Sequence, residues 1–441
     1  MKAMFDALNL RKSFLFFGDI ACLYFSFLGT IFFGFWGDFS WHWISLHLTP
    51  FTILYFFWLV IFYIFGLYDL RTIKAGPFLY TKIFGAILAC FGIGIAFFYL
   101  IPLFGITPKT NLVLNIVIFS ALFYAWRKIF SLLFSSRFLN RVAIIGEDHQ
   151  VQELAKEIGL RPYLGYKLIT LDKGRDLLSQ IQDQKIDTVI VPSDIKDSSS
   201  LVENLYQCLP TRVNFLDWTK AYEMICNKVP LSFITQIWFL KNLREGEKAF
   251  YDKIKRVFDI LLASVTLIIT SFIWPLIAVS IKLDDGGPVI YRQKRIGKDR
   301  TPFFLLKFRS MKVGAENKTG PVWADKEDSR ATKIGKFLRK THLDELPQMI
   351  NVLKGDISLV GPRPERPEFV ESLEREIPHY HVRHLIKPGF TGWAQLKFRY
   401  GRSIMDSQEK FQYDLYYLKN RSFILDVGII LKTMQLFFKK E

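Results

Sequence analysis

The chain has few cysteines and lacks two short motifs that would have indicated other chemistries. Its four cysteines show no Cys-X-X-Cys spacing, which indicates free thiols and excludes a disulfide framework or a cysteine-based zinc site. No Asp-X-Asp triplet occurs in the 441 residues, which argues against a glycosyltransferase that holds its metal in that way. A glycine-rich dinucleotide loop is also missing from the central part of the chain.

Apolar residues and positive charge are both abundant. Half of the residues are hydrophobic, 43 of them are phenylalanine, and the formal net charge is +17. Such a charge suits nucleic acid, anionic lipid or a phosphorylated substrate. Because so much of the sequence is membrane-like, we expect lipid and phosphate as partners and no nucleic acid.

The first predicted domain, residues 1–138, contains four apolar stretches of about 20 residues each, the length that a helix needs to cross a bilayer. They occupy residues 14–36, 44–68, 83–104 and 112–134. Lysine and arginine cluster on one side of these stretches, whereas the outer loops contain only Lys109. The positive-inside rule therefore predicts a four-helix transmembrane bundle with both ends in the cytoplasm.

Residues 139–245 predict a small Rossmann-like α/β domain. Strand patterns at 142–146 and 186–191 enclose a helical pattern at 151–158, and this alternation predicts a parallel sheet. Gly146 is followed by Glu-Asp-His, so the glycines that admit a pyrophosphate are absent. We therefore expect a scaffolding or regulatory domain.

The third predicted domain, residues 250–441, is mixed but mostly helical and begins with an apolar segment at 257–283. Both flanks of this segment are basic, and Pro275 interrupts it. Proline removes a backbone donor and kinks a helix, so we expect a re-entrant helix that enters the inner leaflet and returns. A fifth crossing is the alternative. The last apolar stretch, 423–438, is expected either on the bilayer surface or on the domain core.

Two adjacent carboxylates, Asp344 and Glu345, lie in a strongly basic part of this domain. Cations such as Arg339 and Arg363 neutralise a phosphate that one carboxylate can attack while the other holds Mg²⁺. Taken alone, an Asp-Glu pair is more often a helix cap. We expect the pair at the start of a helix with Leu346 on its buried face, where the helix dipole favours an anion.

Further motifs follow one another around this pair. They are Lys307-Phe-Arg309-Ser-Met311, Leu343-Asp-Glu-Leu-Pro-Gln348, Gly361-Pro-Arg-Pro364 and Lys387-Pro-Gly-Phe-Thr-Gly-Trp-Ala-Gln395. From about residue 255 onward the chain resembles the bacterial sugar transferase family, the monotopic polyprenyl-phosphate phosphoglycosyl transferases. The amino-terminal four-helix bundle together with the small α/β domain resembles the long members that initiate exopolysaccharide synthesis. Pro-Val-Trp-Ala at 321–324 and Arg-Tyr-Gly at 399–401 resemble that subgroup.

The resemblance implies transfer of a sugar 1-phosphate from a UDP-sugar to polyprenyl (undecaprenyl) phosphate, with release of UMP. Asp344 matches the nucleophile that forms a covalent phosphosugar intermediate, and Glu345 matches the Mg²⁺-associated carboxylate. Arg363 matches a phosphate-binding arginine, and Lys307 and Arg309 match more weakly. The resemblance also implies a cytoplasmic catalytic domain at the bacterial inner membrane and allows a homodimer. The motifs do not specify the sugar.

Two alternatives stay open. The chain could be a non-catalytic membrane scaffold of a polysaccharide assembly complex, or a direct metal-dependent glycosyltransferase. Intact Asp344, Glu345 and Arg363 count against the scaffold, and the missing Asp-X-Asp triplet counts against the glycosyltransferase. Asp284-Asp285 resembles a metal-binding pair, but the Gly-Gly-Pro that follows predicts a turn.

Overall fold

Within the residues that the structure describes, most of the fold is helical and the strands form three small sheets. The computed structural model describes residues 2–36, 39–69, 77–100, 109–134, 140–146, 149–161, 165–171, 176–191, 199–243, 245–315, 330–398 and 403–438. These residues form two compact units, Met1–Cys226 and Asn227–Glu441. Each unit has its own buried core.

A helix covers each predicted apolar stretch of the first unit over most of its described residues. The helices are α1 (Lys2–Gly34), α2 (Trp41–Ile64), α3 (Pro77–Leu100) and α4 (Lys109–Phe134). Each is long and apolar enough to cross a membrane. Phenylalanine side chains fill the interior between these helices, and many others are exposed on the outside. An apolar exterior of this kind is compatible with a membrane protein.

Buried polar side chains join α1 to α4. Arg127 donates a hydrogen bond of 2.6 Å to Asp19, and both side chains are fully buried. Two turns along α1, the Asn115 amide donates to Ser26 at 3.2 Å and to Thr30 at 3.1 Å. Because an unpaired charge in apolar surroundings is costly, these contacts hold the two helices in one register.

The rest of the first unit is a four-stranded parallel sheet with helical connections. Its elements are β1 (Asn140–Ile144), α5 (His149–Gly159), β2 (Tyr166–Ile169), α6 (Leu177–Asp183), β3 (Thr188–Val191), α7 (Ser199–Gln207), β4 (Asn214–Asp217) and α8 (Trp218–Cys226). The strand order is β2-β1-β3-β4, with Val142 opposite Thr188. All four residues of β3 are buried, as expected for a central strand covered on both faces.

The second unit is mostly helical and holds the sequence motifs. Its elements are α9 (Gln236–Asn242), α10 (Ala249–Thr270), α11 (Trp274–Asp285), β5 (Ile290–Ile296), β6 (Pro302–Phe308), α12 (Lys333–Thr341), α13 (Gln348–Lys354), β7 (Ser358–Val360), α14 (Pro367–Glu376), β8 (Gly389–Thr391), α15 (Trp393–Lys397), α16 (Ile404–Asn420) and α17 (Phe423–Phe438). Strands β5 and β6 form an antiparallel hairpin, and β7 and β8 form a parallel pair. Residues from Asn227 onward belong to this unit, although the sequence grouped 227–245 with the α/β domain. Val229, for example, is buried in its core.

The apolar segment after residue 249 is interrupted just before Pro275. A 3-10 turn at Ser271–Ile273 separates α10 from α11. Pro275 lies in the first turn of α11, where backbone N–H groups have no intrahelical acceptor. Proline at this position therefore costs the helix no hydrogen bond. Across the break, the Trp274 indole N–H donates to the Thr270 hydroxyl at 3.3 Å.

The carboxyl-terminal helix α17 packs on the core through one face. Ile429 is fully buried there, and Asp426 accepts hydrogen bonds from Lys255 at 2.6 Å and from Tyr417 at 2.7 Å. Ile424 points outward and is 85% exposed. The helix therefore has both a core contact and an exposed apolar side.

Candidate active site

The adjacent carboxylates lie in a 3-10 turn and not in the first turn of a helix. The turn is Leu343–Glu345, and α13 begins only at Gln348, after Pro347. His342 precedes the turn with a φ of 55°, so the chain leaves α12 through a left-handed residue and reverses direction. The expectation of a helix dipole at the pair was therefore wrong, because a proline and a change of helix type intervene.

Leucines on either side of the carboxylates anchor this turn. Leu343 and Leu346 pack against one apolar cluster. Its other members include Ile273, Trp274, Ile277, Ile281, Phe308 and Leu338. Ile273 and Trp274 border the break in the apolar segment, so the carboxylate turn and this break pack against the same buried cluster.

Glu345 is bound by two cations. Its Oε1 atom accepts a hydrogen bond of 2.8 Å from Lys307 Nζ and one of 3.1 Å from Arg363 Nη2. Burial would raise the pKa of Glu345, but Lys307 and Arg363 hold that pKa well below its ordinary value. The carboxylate is therefore ionised and held in place at neutral pH.

Asp344 has different surroundings from its neighbour. Its side chain is only 7% exposed, and within the described part of the chain no group donates a hydrogen bond to it. Burial raises the pKa of Asp344 to about 6, although the charges of Lys307 and Arg339 oppose the rise. At neutral pH the carboxylate is mostly ionised, poorly solvated and free of donors, which are the conditions of a reactive oxygen nucleophile.

Asn351 positions Lys307 by joining the β5–β6 hairpin to α13. The Asn351 side chain donates to Phe304 O at 2.8 Å and accepts from Leu306 N at 2.9 Å. This pairing holds the end of β6 against the helix that follows the carboxylate turn. Asn351 is almost fully buried, so its amide is satisfied only in this arrangement.

Arg363 stands on a loop whose carbonyl groups are held by two further arginines. Arg383 donates to Arg363 O at 2.9 Å, and Arg295 donates to Pro364 O at 2.9 Å. Arg383 is buried and also pairs with Asp414 at 3.0 Å. Sequence reasoning missed these positioning residues, because isolated arginines far apart in the chain carry no local pattern.

Close backbone contact explains the glycines on either side of this loop. Gly361 N donates to Thr391 O at 2.9 Å, and Gly389 N donates to Pro362 O at 2.8 Å. A Cβ atom on Gly389 would lie 2.0 Å from Gly361 N, so only glycine fits. The Lys387–Gln395 motif thus supports the Gly-Pro-Arg-Pro loop through its backbone.

Arg309 does not join the carboxylate cluster. It is buried and pairs with Asp285 at the end of α11. The neighbouring Asp284 accepts a hydrogen bond of 3.0 Å from Ile334 N, so both members of the Asp284-Asp285 pair have structural partners. Arg339 lies in the last turn of α12, near enough to act on Asp344. The motifs at 321–324 and 399–401 lie outside the described residues.

The two carboxylates supply some, but not all, of the ligands that a divalent cation needs. Asp344 and Glu345 offer hard oxygen ligands, but the described part of the chain contains no group of three or more His, Cys, Asp or Glu placed to hold a metal ion. Mg²⁺ is commonly bound by one or two carboxylates together with substrate phosphates. The donor set therefore suits Mg²⁺ in company with a phosphate ligand.

Several known proteins are similar in sequence to the part of the chain that contains this site. The bacterial sugar transferase family matches residues 250–440. The UDP-glucose:undecaprenyl-phosphate glucose-1-phosphate transferase of Klebsiella pneumoniae is 33% identical over 311 residues, which cover 67% of each chain. The enzyme of that name from Xanthomonas campestris pv. campestris is 33% identical over 321 residues, 67% of this chain and 66% of its own.

A further relative matches the second unit alone. It is the UDP-N-acetylgalactosamine-undecaprenyl-phosphate N-acetylgalactosaminephosphotransferase of Aeromonas hydrophila, 46% identical over 185 residues, 42% of this chain. The match spans only 44% of that relative's length. On the family match and the long alignments, this chain belongs to the bacterial sugar transferase family.

Proposed function

We propose that this protein transfers a sugar 1-phosphate from a UDP-sugar to undecaprenyl phosphate, releasing UMP and forming a polyprenyl-diphospho-sugar. The relatives are named for this reaction class. The observation that carries the proposal is the contrast between the two carboxylates. Asp344 is buried without a donor among the described residues, whereas Glu345 beside it is bound by Lys307 and Arg363.

In the first step, an Asp344 carboxylate oxygen attacks the phosphorus that is bonded to the sugar. A new O–P bond forms, the bond from that phosphorus to the bridging oxygen of the diphosphate breaks, and UMP leaves with that oxygen. Lys307, Arg363 and Arg339 offset the negative charge on the phosphates. Asp344 then carries the phosphosugar as an acyl phosphate.

In the second step, a phosphate oxygen of undecaprenyl phosphate attacks the same phosphorus. The acyl–phosphate bond breaks, and the Asp344 carboxylate is regenerated. Bound Mg²⁺ would supply further charge neutralisation at the phosphates, and Glu345 would hold it. In the substrate-free site, Lys307 and Arg363 both donate to Glu345 Oε1 and hold this carboxylate in place.

The same proposal includes a membrane arrangement. α1 to α4 form a four-span bundle in the bacterial inner membrane, the parallel-sheet domain is Rossmann-like, and both it and the second unit are cytoplasmic. The α10–α11 segment is re-entrant. Supporting this, Arg256 near the start of α10 donates to Val352 O at 2.6 Å, and Asp285 at the end of α11 pairs with Arg309. Both ends of the segment are thus bonded to one domain.

The short distance between the buried core of the second unit and the helix break also favours a shallow insertion of this segment into the membrane. Ala263 is fully buried in the core of the second unit, and roughly 12 Å of helix separates it from Ser271 at the break. This is well short of the ~30 Å hydrocarbon thickness. Near the break the exposed side chains are large and apolar, with Ile268 at 73% and Phe272 at 72% exposed.

Cysteine labelling tests the membrane arrangement. In a background with the four native cysteines replaced by serine, Lys253→Cys and Lys294→Cys are each expected to react with an impermeant maleimide only from the cytoplasmic side. Both side chains are exposed and flank the segment on opposite ends. A fifth crossing would make the two positions react from opposite sides. Labelling in inside-out and right-side-out vesicles distinguishes these results.

The first step is expected to depend on pH through Asp344. Burial raises the pKa of this carboxyl to about 6, and only its ionised form attacks. Below pH 6 the rate of UMP release without lipid acceptor should therefore fall about tenfold for each pH unit. Rapid-quench measurements between pH 4.5 and 8 give this profile. A rate that stays constant down to pH 4.5 would contradict the assignment.

The decisive experiment uses purified protein, Mg²⁺ and a panel of UDP-sugars without lipid acceptor. One donor is expected to add the mass of its sugar phosphate to the protein and to release UMP in equal amount. Adding undecaprenyl phosphate should then remove the added mass. UDP as the sole nucleotide product would indicate direct glycosyl transfer, and no reaction with any donor would favour a scaffold.

A further inference from the structure

The ammonium group of Lys307 is bonded to Glu345, the carboxylate that would hold a metal ion. Lys307 Nζ lies 2.8 Å from Glu345 Oε1. Among the charged groups around the site, Lys307 also has the strongest influence on the pKa of both Asp344 and Glu345. A divalent cation held by Glu345 would lie only a few ångströms from this ammonium, and like charges at that distance repel strongly.

The two carboxylates and the two cations bonded to Glu345 have no net charge without a metal. Asp344 and Glu345 contribute two negative charges when ionised, and Lys307 and Arg363 contribute two positive charges, while Arg339 adds a further positive charge nearby. A divalent cation alone would therefore leave at least two uncompensated positive charges in a partly buried site. The diphosphate of a UDP-sugar carries two negative charges, so the cation and the diphosphate together add no net charge.

Lys307 has a side chain that can carry its charge away from Glu345. The loop that carries Arg363 is held at two carbonyl groups by Arg383 and Arg295. Lys307 holds its ammonium on an unbranched four-carbon stem whose rotations can carry the charge by several ångströms. The strand beneath it is fixed by Asn351, so motion of the charge requires only the side chain to turn.

We propose that Lys307 is an exchangeable counter-ion of Glu345. It neutralises the carboxylate in the substrate-free site and turns to the diphosphate when a divalent cation and the nucleotide bind together. Metal and nucleotide therefore strengthen each other's binding, and the metal site is complete only with substrate present. The inference rests on the proposed function, because it takes a UDP-linked diphosphate as the ligand.

The test measures binding of Mn²⁺ to the full-length protein in detergent by electron paramagnetic resonance, with and without UDP. UDP carries the diphosphate but has no sugar–phosphate bond to attack, and protein-free samples correct for Mn²⁺ held by UDP itself. UDP is expected to tighten Mn²⁺ binding at least about tenfold, and Mn²⁺ should tighten UDP binding by the same factor. Glu345→Gln should lose Mn²⁺ binding in both conditions.

The variant Lys307→Met distinguishes a lysine that acts as an exchangeable counter-ion from one that only supports the structure of the site. Removal of the competing charge should tighten Mn²⁺ binding in the absence of UDP at least about tenfold, while UDP alone binds more weakly and the mutual strengthening shrinks. A structural role would weaken both ligands. Lys294→Met, which removes an exposed lysine from the neighbouring strand β5, is the matched control and should change neither. Lys307→Gln serves as a second variant, and thermal melting confirms folding.

Two outcomes overturn the inference. One is equal Mn²⁺ affinity of the wild-type protein with and without UDP, and the other is unchanged or weaker Mn²⁺ binding in Lys307→Met and Lys307→Gln. Neither depends on turnover. If the covalent adduct forms but Mn²⁺ and UDP do not tighten each other's binding, only the proposal of an exchangeable Lys307 is wrong. If the strengthening is present but no UDP-sugar forms an adduct, the proposed reaction fails.

Discussion

Asp344→Asn is expected to lower the rate of UMP release from the reactive UDP-sugar at least about 10⁴-fold and to abolish the covalent adduct. The amide cannot form an acyl phosphate, yet it has nearly the size of the carboxylate. Because no described residue donates a hydrogen bond to Asp344, no donor is left without its acceptor. Intact-protein mass and nucleotide chromatography on the same samples measure both effects.

One further variant, Asp344→Glu, serves as a control for this loss. Asp344→Glu keeps a carboxylate but displaces it by about one methylene, so a slow adduct is expected, about 10²-fold below the wild-type rate. Treatment with hydroxylamine should release that adduct as it releases the wild-type one, because both are acyl phosphates. If Asp344→Asn forms the adduct at the wild-type rate, the nucleophile is a different residue and the proposed mechanism is wrong.

The second large effect is on the free energy of unfolding. Substitutions at the adjacent residues Asp344 and Glu345 are expected to change it in opposite directions. Asp344→Asn should stabilise the second unit at pH 7 and Glu345→Gln should destabilise it. Burial raises the pKa of Asp344 from 3.8 to about 6, a difference that corresponds to about 3 kcal/mol at most. Melting in detergent with EDTA, which removes any bound metal, compares the two variants with the wild type.

The sign follows from which protonation state the fold favours. Asp344 has a higher pKa in the folded protein than in the unfolded chain, so its destabilising effect grows as the pH rises from 3.8 to 6 and is complete above 6. Asparagine removes this effect. Glu345 has a lower pKa when folded, so its stabilising effect is present above its unfolded value of 4.5 and is lost as the pH falls.

Glu345→Gln leaves Lys307 and Arg363 without their carboxylate. Removing one member of a buried ion pair costs about 3–5 kcal/mol, but Arg363 is 45% exposed, so we expect a loss of about 1–3 kcal/mol. The melting temperatures of the two variants should lie on either side of the wild-type value at pH 7. If both variants melt below the wild type, the donor-free burial of Asp344 is not a source of instability.

The sequence was most informative where a pattern extends over many residues. Each of the four predicted apolar stretches is helical over most of its described residues, because length and hydropathy alone distinguish such segments. The strand expected at 186–191 occurs as Thr188–Val191. The family resemblance is confirmed by the match over residues 250–440. These features depend on local composition or on long motifs, and neither requires knowledge of tertiary contacts.

Sequence reasoning failed where the deciding contact comes from a distant residue. Lys307 and Arg309 stand two positions apart in one motif, yet Lys307 binds Glu345 and Arg309 binds Asp285. Which carboxylate each reaches depends on how the hairpin lies against α11 and α13. In the same way, Arg383 acts on Arg363 only because the fold brings their backbones together. Residue type and spacing do not encode such partners.

The leucines that border the carboxylates share an apolar cluster with Ile273 and Trp274 at the break in the α10–α11 segment. A water-soluble fragment made by deleting this segment would lose part of the apolar cluster against which the carboxylate turn packs. Weak catalysis by such a fragment would thus report a damaged scaffold and not a missing lipid substrate. Inhibitor screens and crystallisation trials on this protein should retain residues 249–285.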